Sequence, residues 1–301
     1  MSLLEHLRDD DQALLLSLQQ ARTLAPGTIL FHQGAPSDAA VFVRRGRLAL
    51  QLFAPGQADP VHVHNSLPGE LVGEPALVAG GTRSRTAVAV EETEIGVVHR
   101  ADLKSLLSSF HPASLRIVLA VARHVAGRMQ SAHVDATPGV PVLADMAVPA
   151  TMDPRPFLPI FPFFRDFTPA DIESLLAQGT LWDVERGTRL LQTGQRSDSC
   201  FLVVRGAIAV RASGARIALI GPGALAGEMA PLTGRPATAD LMMRESGTLL
   251  HLGPDAFLAL TTPGERVAFK FTNALATTLM ASLARTNRQR ARQAMHHKGA
   301  P

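Results

Sequence analysis

What most constrains this chain is that it is written twice. Pro26-Gly27-Thr28-Ile29-Leu30-Phe31-His32-Gln33-Gly34 recurs as Arg186-Gly187-Thr188-Arg189-Leu190-Leu191-Gln192-Thr193-Gly194. Ser37-Asp38 answers Ser197-Asp198, and Phe42-Val43-Arg44-Arg45-Gly46 answers Leu202-Val203-Val204-Arg205-Gly206. The offset is 160 over these stretches and falls to 154 where Leu71-Val72-Gly73-Glu74 meets Leu225-Ala226-Gly227-Glu228. A constant offset that shortens once means two copies of one unit, with a length change in one hairpin. The period is far longer than the roughly 20–50 residues of a solenoid repeat. Each copy is therefore expected to be a domain with its own core.

The composition supports two cores. Of 301 residues, 46% are apolar and 18% charged, which argues against disorder. The single cysteine, Cys200, excludes an intrachain disulfide and a multi-cysteine zinc site. It falls opposite Ala40, so a half-buried core thiol is expected, with a reactive thiol as the alternative. No basic stretch precedes an apolar one at the N-terminus, and no uninterrupted apolar run spans a bilayer, so a cytoplasmic protein without membrane association is expected. The net charge of +3 is unevenly spread. No acidic residue follows Glu265, whereas Arg266, Lys270, Arg285, Arg288, Arg290, Arg292 and Lys298 are basic. Such a tail is a solvated helix end whose cations suit the helix dipole, or else a contact for nucleic acid, acidic membrane or an acidic partner.

The hydrophobic period changes along each copy in the same order. Residues 1–22 suggest short helices. Five short strands follow, at Ile29-Leu30-Phe31, Val41-Phe42-Val43, Leu48 to Leu52, Val61 to His64 and Ala87 to Val90, separated by glycine and proline turns. Residues 112–133 return to a helical spacing of Leu115, Leu119, Ala122, Ala126 and Met129. In the second copy Thr168 and Pro169 mark a helix start. Strands are expected from 188 to 252, and a helix over 264–293 carries a stripe of Val267, Phe271, Leu275, Leu279 and Leu283. The expected fold is mainly β with flanking helices: two tandem jelly-roll-like β-roll domains, each followed by a long helix. The first domain covers 1–133 and the second 163–301 with its basic tail. Between them, 134–162 holds seven prolines and is expected to be an extended spacer. Phe157, Phe161, Phe163 and Phe164 near its end are expected to dock onto a domain.

One segment in each copy interrupts the strands. In the first it runs Gly73-Glu74-Pro75-Ala76-Leu77-Val78, then a loop, then Arg85-Thr86-Ala87. A glycine opening a short helix presents backbone N–H groups at a positive dipole end, suited to an anion. Pro75 fits the first turn, and the small Ala76 lets a ligand approach its N–H. Arg85 offers a planar fork for two phosphate oxygens, and Glu74 an acceptor for a ribose hydroxyl. Thr86 is placed to reach a base. The order and spacing of these motifs, seen twice, resemble the cyclic nucleotide-binding domain family over about 10–130 and 163–293. The resemblance implies a cyclic mononucleotide ligand at Gly73, Glu74, Ala76, Arg85, Thr86 and Ala87, and no further cofactor.

The second copy departs from that pattern. Its segment is Gly227-Glu228-Met229-Ala230-Pro231-Leu232-Thr233-Gly234-Arg235-Pro236-Ala237-Thr238-Ala239, with Ala237 where an arginine is expected. Its weak or degenerate site comprises Gly227, Glu228, Ala230, Arg235 and Thr238, with Arg235 the one candidate substitute. No nucleophile elbow, paired carboxylates or phosphate loop suggests an enzyme. His62 and His64 share a strand face without a third metal ligand nearby. His99 and His251 are expected at equivalent strand ends. No helix-turn-helix pattern follows either copy, so sequence-specific DNA binding is not expected. Two functions fit: a sensor that acts allosterically on a protein partner through its first domain, or a ligand-free scaffold that dimerises through helix 264–293.

Overall fold

The computed structural model describes residues 3–53, 60–130, 148–212 and 215–298. The first copy runs α1 (Asp9–Ser17), β1 (Gln20–Leu24), β2 (Ile29–Phe31), β3 (Ala39–Arg45), β4 (Leu48–Leu52), β5 (Val61–Ser66), β6 (Leu71–Val72), α2 (Glu74–Val78), β7 (Thr86–Ala89), β8 (Thr93–His99), α3 (Arg100–Ser108) and α4 (Pro112–Gln130). Then β9 (Val148–Pro149) precedes the second copy: α5 (Pro169–Gln178), β10 (Thr180–Val184), β11 (Arg189–Leu191), β12 (Cys200–Val203), β13 (Ala207–Ala212), β14 (Ala215–Ile220), β15 (Leu225–Ala226), α6 (Met229–Thr233), β16 (Asp240–Glu245), β17 (Gly247–Leu252), α7 (Pro254–Leu260) and α8 (Arg266–Lys298). By its contacts the chain forms two compact units, Met1–Val125 with Leu279–Pro301, and Ala126–Thr278. That division passes through α4 and α8.

Each copy folds two antiparallel sheets into a roll. In the first these are β1-β8-β3-β6 and β2-β7-β4-β5; in the second, β9-β10-β17-β12-β15 and β11-β16-β13-β14. Alternating side chains from both sheets meet inside each roll. Val41, Val43, Leu48 and Ile95 lie in the first core, and Phe201, Val203, Ile208 and Leu249 hold the same places in the second. Cys200 pairs across with Leu252 as Ala40 does with Val98, and both Cys200 and Ala40 are fully buried. Burial pushes the Cys200 thiol well up, with the Glu228 carboxylate adding to the effect, which makes it inert. The histidines do not correspond: Gln20 pairs with Val97 where Thr180 pairs with His251, and His99 caps α3 where Gly253 caps α7.

The first and last helices of each copy are tied by one ion pair. Asp11 of α1, almost fully buried, accepts two bonds from Arg116 of α4 at 2.6 and 2.7 Å. In the second copy Asp171 of α5 accepts from Lys270 of α8. Asp171 also closes a capping box with Thr168, as the Thr168-Pro169 start predicts. Hydrogen bonds from Lys270 and Thr168 outweigh desolvation and lower the Asp171 pKa.

Three expectations change. Residues 20–24 form a strand, not the end of a helix, since β1 pairs with β8. The proline-rich segment ends as part of the second unit: Val148 and Pro149 pair with Asp183 and Trp182, Leu158 is buried, and Phe163 and Phe164 stack edge to face inside. Phe157 remains about half exposed, and residues 131–147 lie outside the described residues. Finally, α8 begins at Arg266 and extends to Lys298, and its apolar stripe of Val267, Phe271, Leu275, Leu279 and Leu283 is buried within the chain. By length and composition Arg266–Thr286 also suffices to cross a membrane, but 56% of its apolar window is buried in the molecule, as in a core helix.

Candidate functional site

In the first copy β6 is followed by Gly73, whose φ of +84° only glycine adopts without strain. The chain turns there into α2, a five-residue helix that begins with Glu74 and has Pro75 at its second position. Ala76, Leu77 and Val78 are buried, so α2 is anchored in the roll by its apolar side. The Ala76 N–H, expected to face a ligand, donates to the Gly73 carbonyl at 2.9 Å. Glu74 stays inside as well: its side chain is 5% exposed, and its Oε1 lies 3.4 Å from Nε2 of His124 on α4.

After α2, Gly80 and Gly81 turn the chain back with φ of +67° and +109°. Arg83 is then held by two main-chain bonds. Its N–H donates to Ala35 O at 2.9 Å, and its carbonyl accepts from Gly34 N at 2.8 Å. Its guanidinium lies 4.1 Å over the Phe31 ring. A Cβ placed on Gly73 would collide with its Nη1, so the absent side chain at Gly73 is what admits this arginine. Arg83 Nε and Nη1 are buried and have no hydrogen-bond partner among the described residues. Burial lowers the Arg83 pKa, and Asp38 opposes that shift in part. A desolvated cation with unpaired donors is costly, and an anion with matching acceptors relieves it.

Arg83 thus lies against Gly73, where the sequence offers Arg85. The main chain gives the reason. Gly194 N donates to Ala237 O at 2.7 Å and Ala237 N to Gln195 O at 2.9 Å, the same pair of bonds that Arg83 makes. Ala237 is therefore the counterpart of Arg83. The offset of 154 that equates Glu74 with Glu228 holds through the loop, and carried forward it identifies this pair without a structure. The similarity of Arg85-Thr86-Ala87 to Ala237-Thr238-Ala239 is a two-residue slip. Arg85 is half-buried. Thr86 is buried and accepts from Gln33 N at 3.0 Å, whereas Asp240 accepts from Thr193 N at 2.7 Å in the second copy. Thr86 thus ties a turn, a task that both copies retain. Ala87 is fully buried in the first core.

In the second copy Gly227 repeats the φ of +84°, but a Cβ there would meet Leu241 Cδ1 at 3.5 Å instead of a cation. Ala237 is 5% exposed and belongs to the core, and Ala230 is buried. Arg235 is exposed and Thr238 half-buried, so Arg235 does not take the place of Arg83. Desolvation pushes the Glu228 carboxyl up to about 7.

The model of the Cyclic nucleotide-binding domain matches residues 21–110 and 181–262, together more than half of the chain. This chain belongs to that family. It carries the cyclic nucleotide-binding domain twice, in tandem. A putative potassium channel protein of Rhodopseudomonas palustris is 30% identical over 35% of this chain and 25% of its own length. The Cyclic AMP receptor protein of Thermus thermophilus is 32% identical over 40% of this chain and 55% of its own. The chain thus spans between a quarter and about half of these relatives. Among solved structures, the regulatory domain of Toxoplasma gondii PKA with cAMP aligns with 95% of this chain and 92% of its own, at 15% identity and a TM-score of 0.33.

Other polar groups stand apart from the cyclic nucleotide-binding segments. His64 Nε2 lies 3.1 Å from Glu70 Oε2, and the His62 side chain lies outside the described residues. Among the described residues no three His, Cys, Asp or Glu side chains converge on a metal position.

Proposed function

We propose that the first domain binds a cyclic mononucleotide, that the second does not, and that the protein is a regulatory sensor rather than an enzyme. In this reading Arg83 pairs with the cyclic phosphate, Gly73 admits it, and Glu74 accepts a ribose hydroxyl. The observation that carries the reading is the Arg83 guanidinium, desolvated against Gly73 with Nε and Nη1 unpaired. Bidentate pairing of a guanidinium with phosphate oxygens is short and strong because both partners are charged and planar recognition fits. The second domain has an alanine in the same backbone position, packed into its core, and a glutamate whose carboxyl burial pushes up to about 7.

The output in this reading is the position of α4, which meets the ligand-binding segment at Glu74 and is tied to α1 by Asp11 and Arg116. A ligand that favours one placement of α4 shifts its population and changes the surface offered to a protein partner. Calorimetric titration of the full chain with cyclic AMP and cyclic GMP tests this. One site per chain is expected for at least one of them. Two sites would mean that Ala237 is no obstacle, and no heat with either would favour a ligand-free scaffold.

A further inference from the structure

We propose that His124 is a positioning residue that holds Glu74 for the ribose 2′-hydroxyl of the bound cyclic nucleotide. The proposal rests on the reading of the first domain given above. His124 sits on α4, its side chain 16% exposed, with Nε2 3.4 Å from Glu74 Oε1. Glu74 opens a helix of only five residues, so α2 sets where the carboxylate begins but does not fix the plane of its oxygens. The imidazole contact adds a constraint on that plane. An ionised carboxylate offers about four lone-pair sites, so one imidazole contact is compatible with a hydroxyl donor on the same group.

The second copy is a built-in control. The offset of 154 that equates Arg116 with Lys270 also equates His124 with Thr278. Thr278 turns its hydroxyl to its own helix, donating to Ala274 O at 2.9 Å. Burial raises the Glu228 pKa, and a backbone hydrogen bond opposes that shift in part. The copy without the arginine at the cradle thus also lacks the imidazole. The helix-tying pairs behave otherwise: Asp11 with Arg116 and Asp171 with Lys270 persist in both copies. A pairing needed only for packing would be expected in both. One that serves the ligand would be expected only where the ligand is held.

The test uses the full-length protein and whichever of cyclic AMP and cyclic GMP it binds, together with the 2′-deoxy analogue of that nucleotide. Dissociation constants are measured by calorimetry for wild type, His124→Ala and His124→Gln. Wild type should prefer the 2′-hydroxyl ligand by about tenfold or more, the scale of one charge-assisted hydrogen bond. His124→Ala should lose most of that preference, weakening the natural ligand by about tenfold and the deoxy analogue by less than about twofold. His124→Gln, which keeps an N–H donor at similar length, should retain much of it. Equal weakening of both ligands would assign His124 to packing, and an unchanged preference would remove it from the site. Tighter binding by His124→Ala would make it a plug. Each of these outcomes overturns the proposal while leaving the first-domain reading intact. Failure of the wild type to bind either cyclic nucleotide overturns both.

Discussion

The two domains differ less in fold than in what fills one position. Both rolls turn on a glycine with φ of +84°, both place a glutamate directly after it, and both hold the following loop with the same pair of main-chain bonds. In the first, the loop residue is Arg83, whose guanidinium lies against the glycine. In the second it is Ala237, which joins the core. The backbone of this segment thus persists, with its glycine and glutamate, where the arginine does not. The reason is energetic: the sheets and the buried side of the short helix stabilise the fold by apolar burial, whether or not a charge is present. Similarity of fold accordingly carries less functional weight than the identity of one side chain.

The strongest way to break this comparison is to write the first domain's arginine into the second. Ala237→Arg should destabilise the second domain by about 3 kcal/mol, because an unpaired charge enters a filled core. It should create no nucleotide site. A second calorimetric site in this variant would show that one residue separates the two domains. The converse change, Arg83→Ala, should weaken cyclic nucleotide binding by about 1.5–3 kcal/mol, roughly tenfold to a hundredfold or somewhat more. A dissociation constant equal to that of wild type would return the phosphate role to another residue.

Glu228 sharpens the comparison through pH. Its carboxyl, pushed up to about 7 from 4.5, holds a proton in the folded state that the unfolded chain releases earlier. Between these values the folded state binds more protons, so its stability falls as pH rises. The contribution is complete below about 4.5 and lost as pH passes about 7. Glu228→Gln should remove that dependence and stabilise the second domain at pH 8 by about 2 kcal/mol, read from urea midpoints across pH 4–8. An identical pH profile in wild type and variant would place the carboxylate in water. The smallest effect is expected of Arg85→Ala, which should change nucleotide affinity by less than about threefold, as for a charge outside the cradle.

Much of the fold was legible in the sequence. The repeat predicts two domains, glycine turns bound the strands, and Thr168-Pro169 announces the start of α5 with its capping box. The short strands at 71–72 and 225–226 and the β1 strand were not legible, because two apolar residues or a polar edge strand carry no readable period. Of the proposed site, Gly73 and Glu74 are legible through the doubled Gly-Glu. Arg83 is hidden by the local similarity of Arg85-Thr86-Ala87 to Ala237-Thr238-Ala239, which runs against the constant offset. His124 carried no signal, since a histidine on an apolar helix is ordinary until its neighbour is known.

From the chain alone come the two copies of one β-roll, and the difference that the constant offset sets Arg83 of the first against Ala237 of the second. These are facts of order and residue type, and the chain states them directly. It took the three-dimensional packing to show which arginine meets the glycine, that Thr86 ties a turn, that the α8 stripe is buried, and that His124 reaches Glu74 across 50 residues of chain. Register and burial settle such matters. Shifting a paired residue by one or two places moves its side chain to another face or another neighbour, and no local pattern records which partner it finds there.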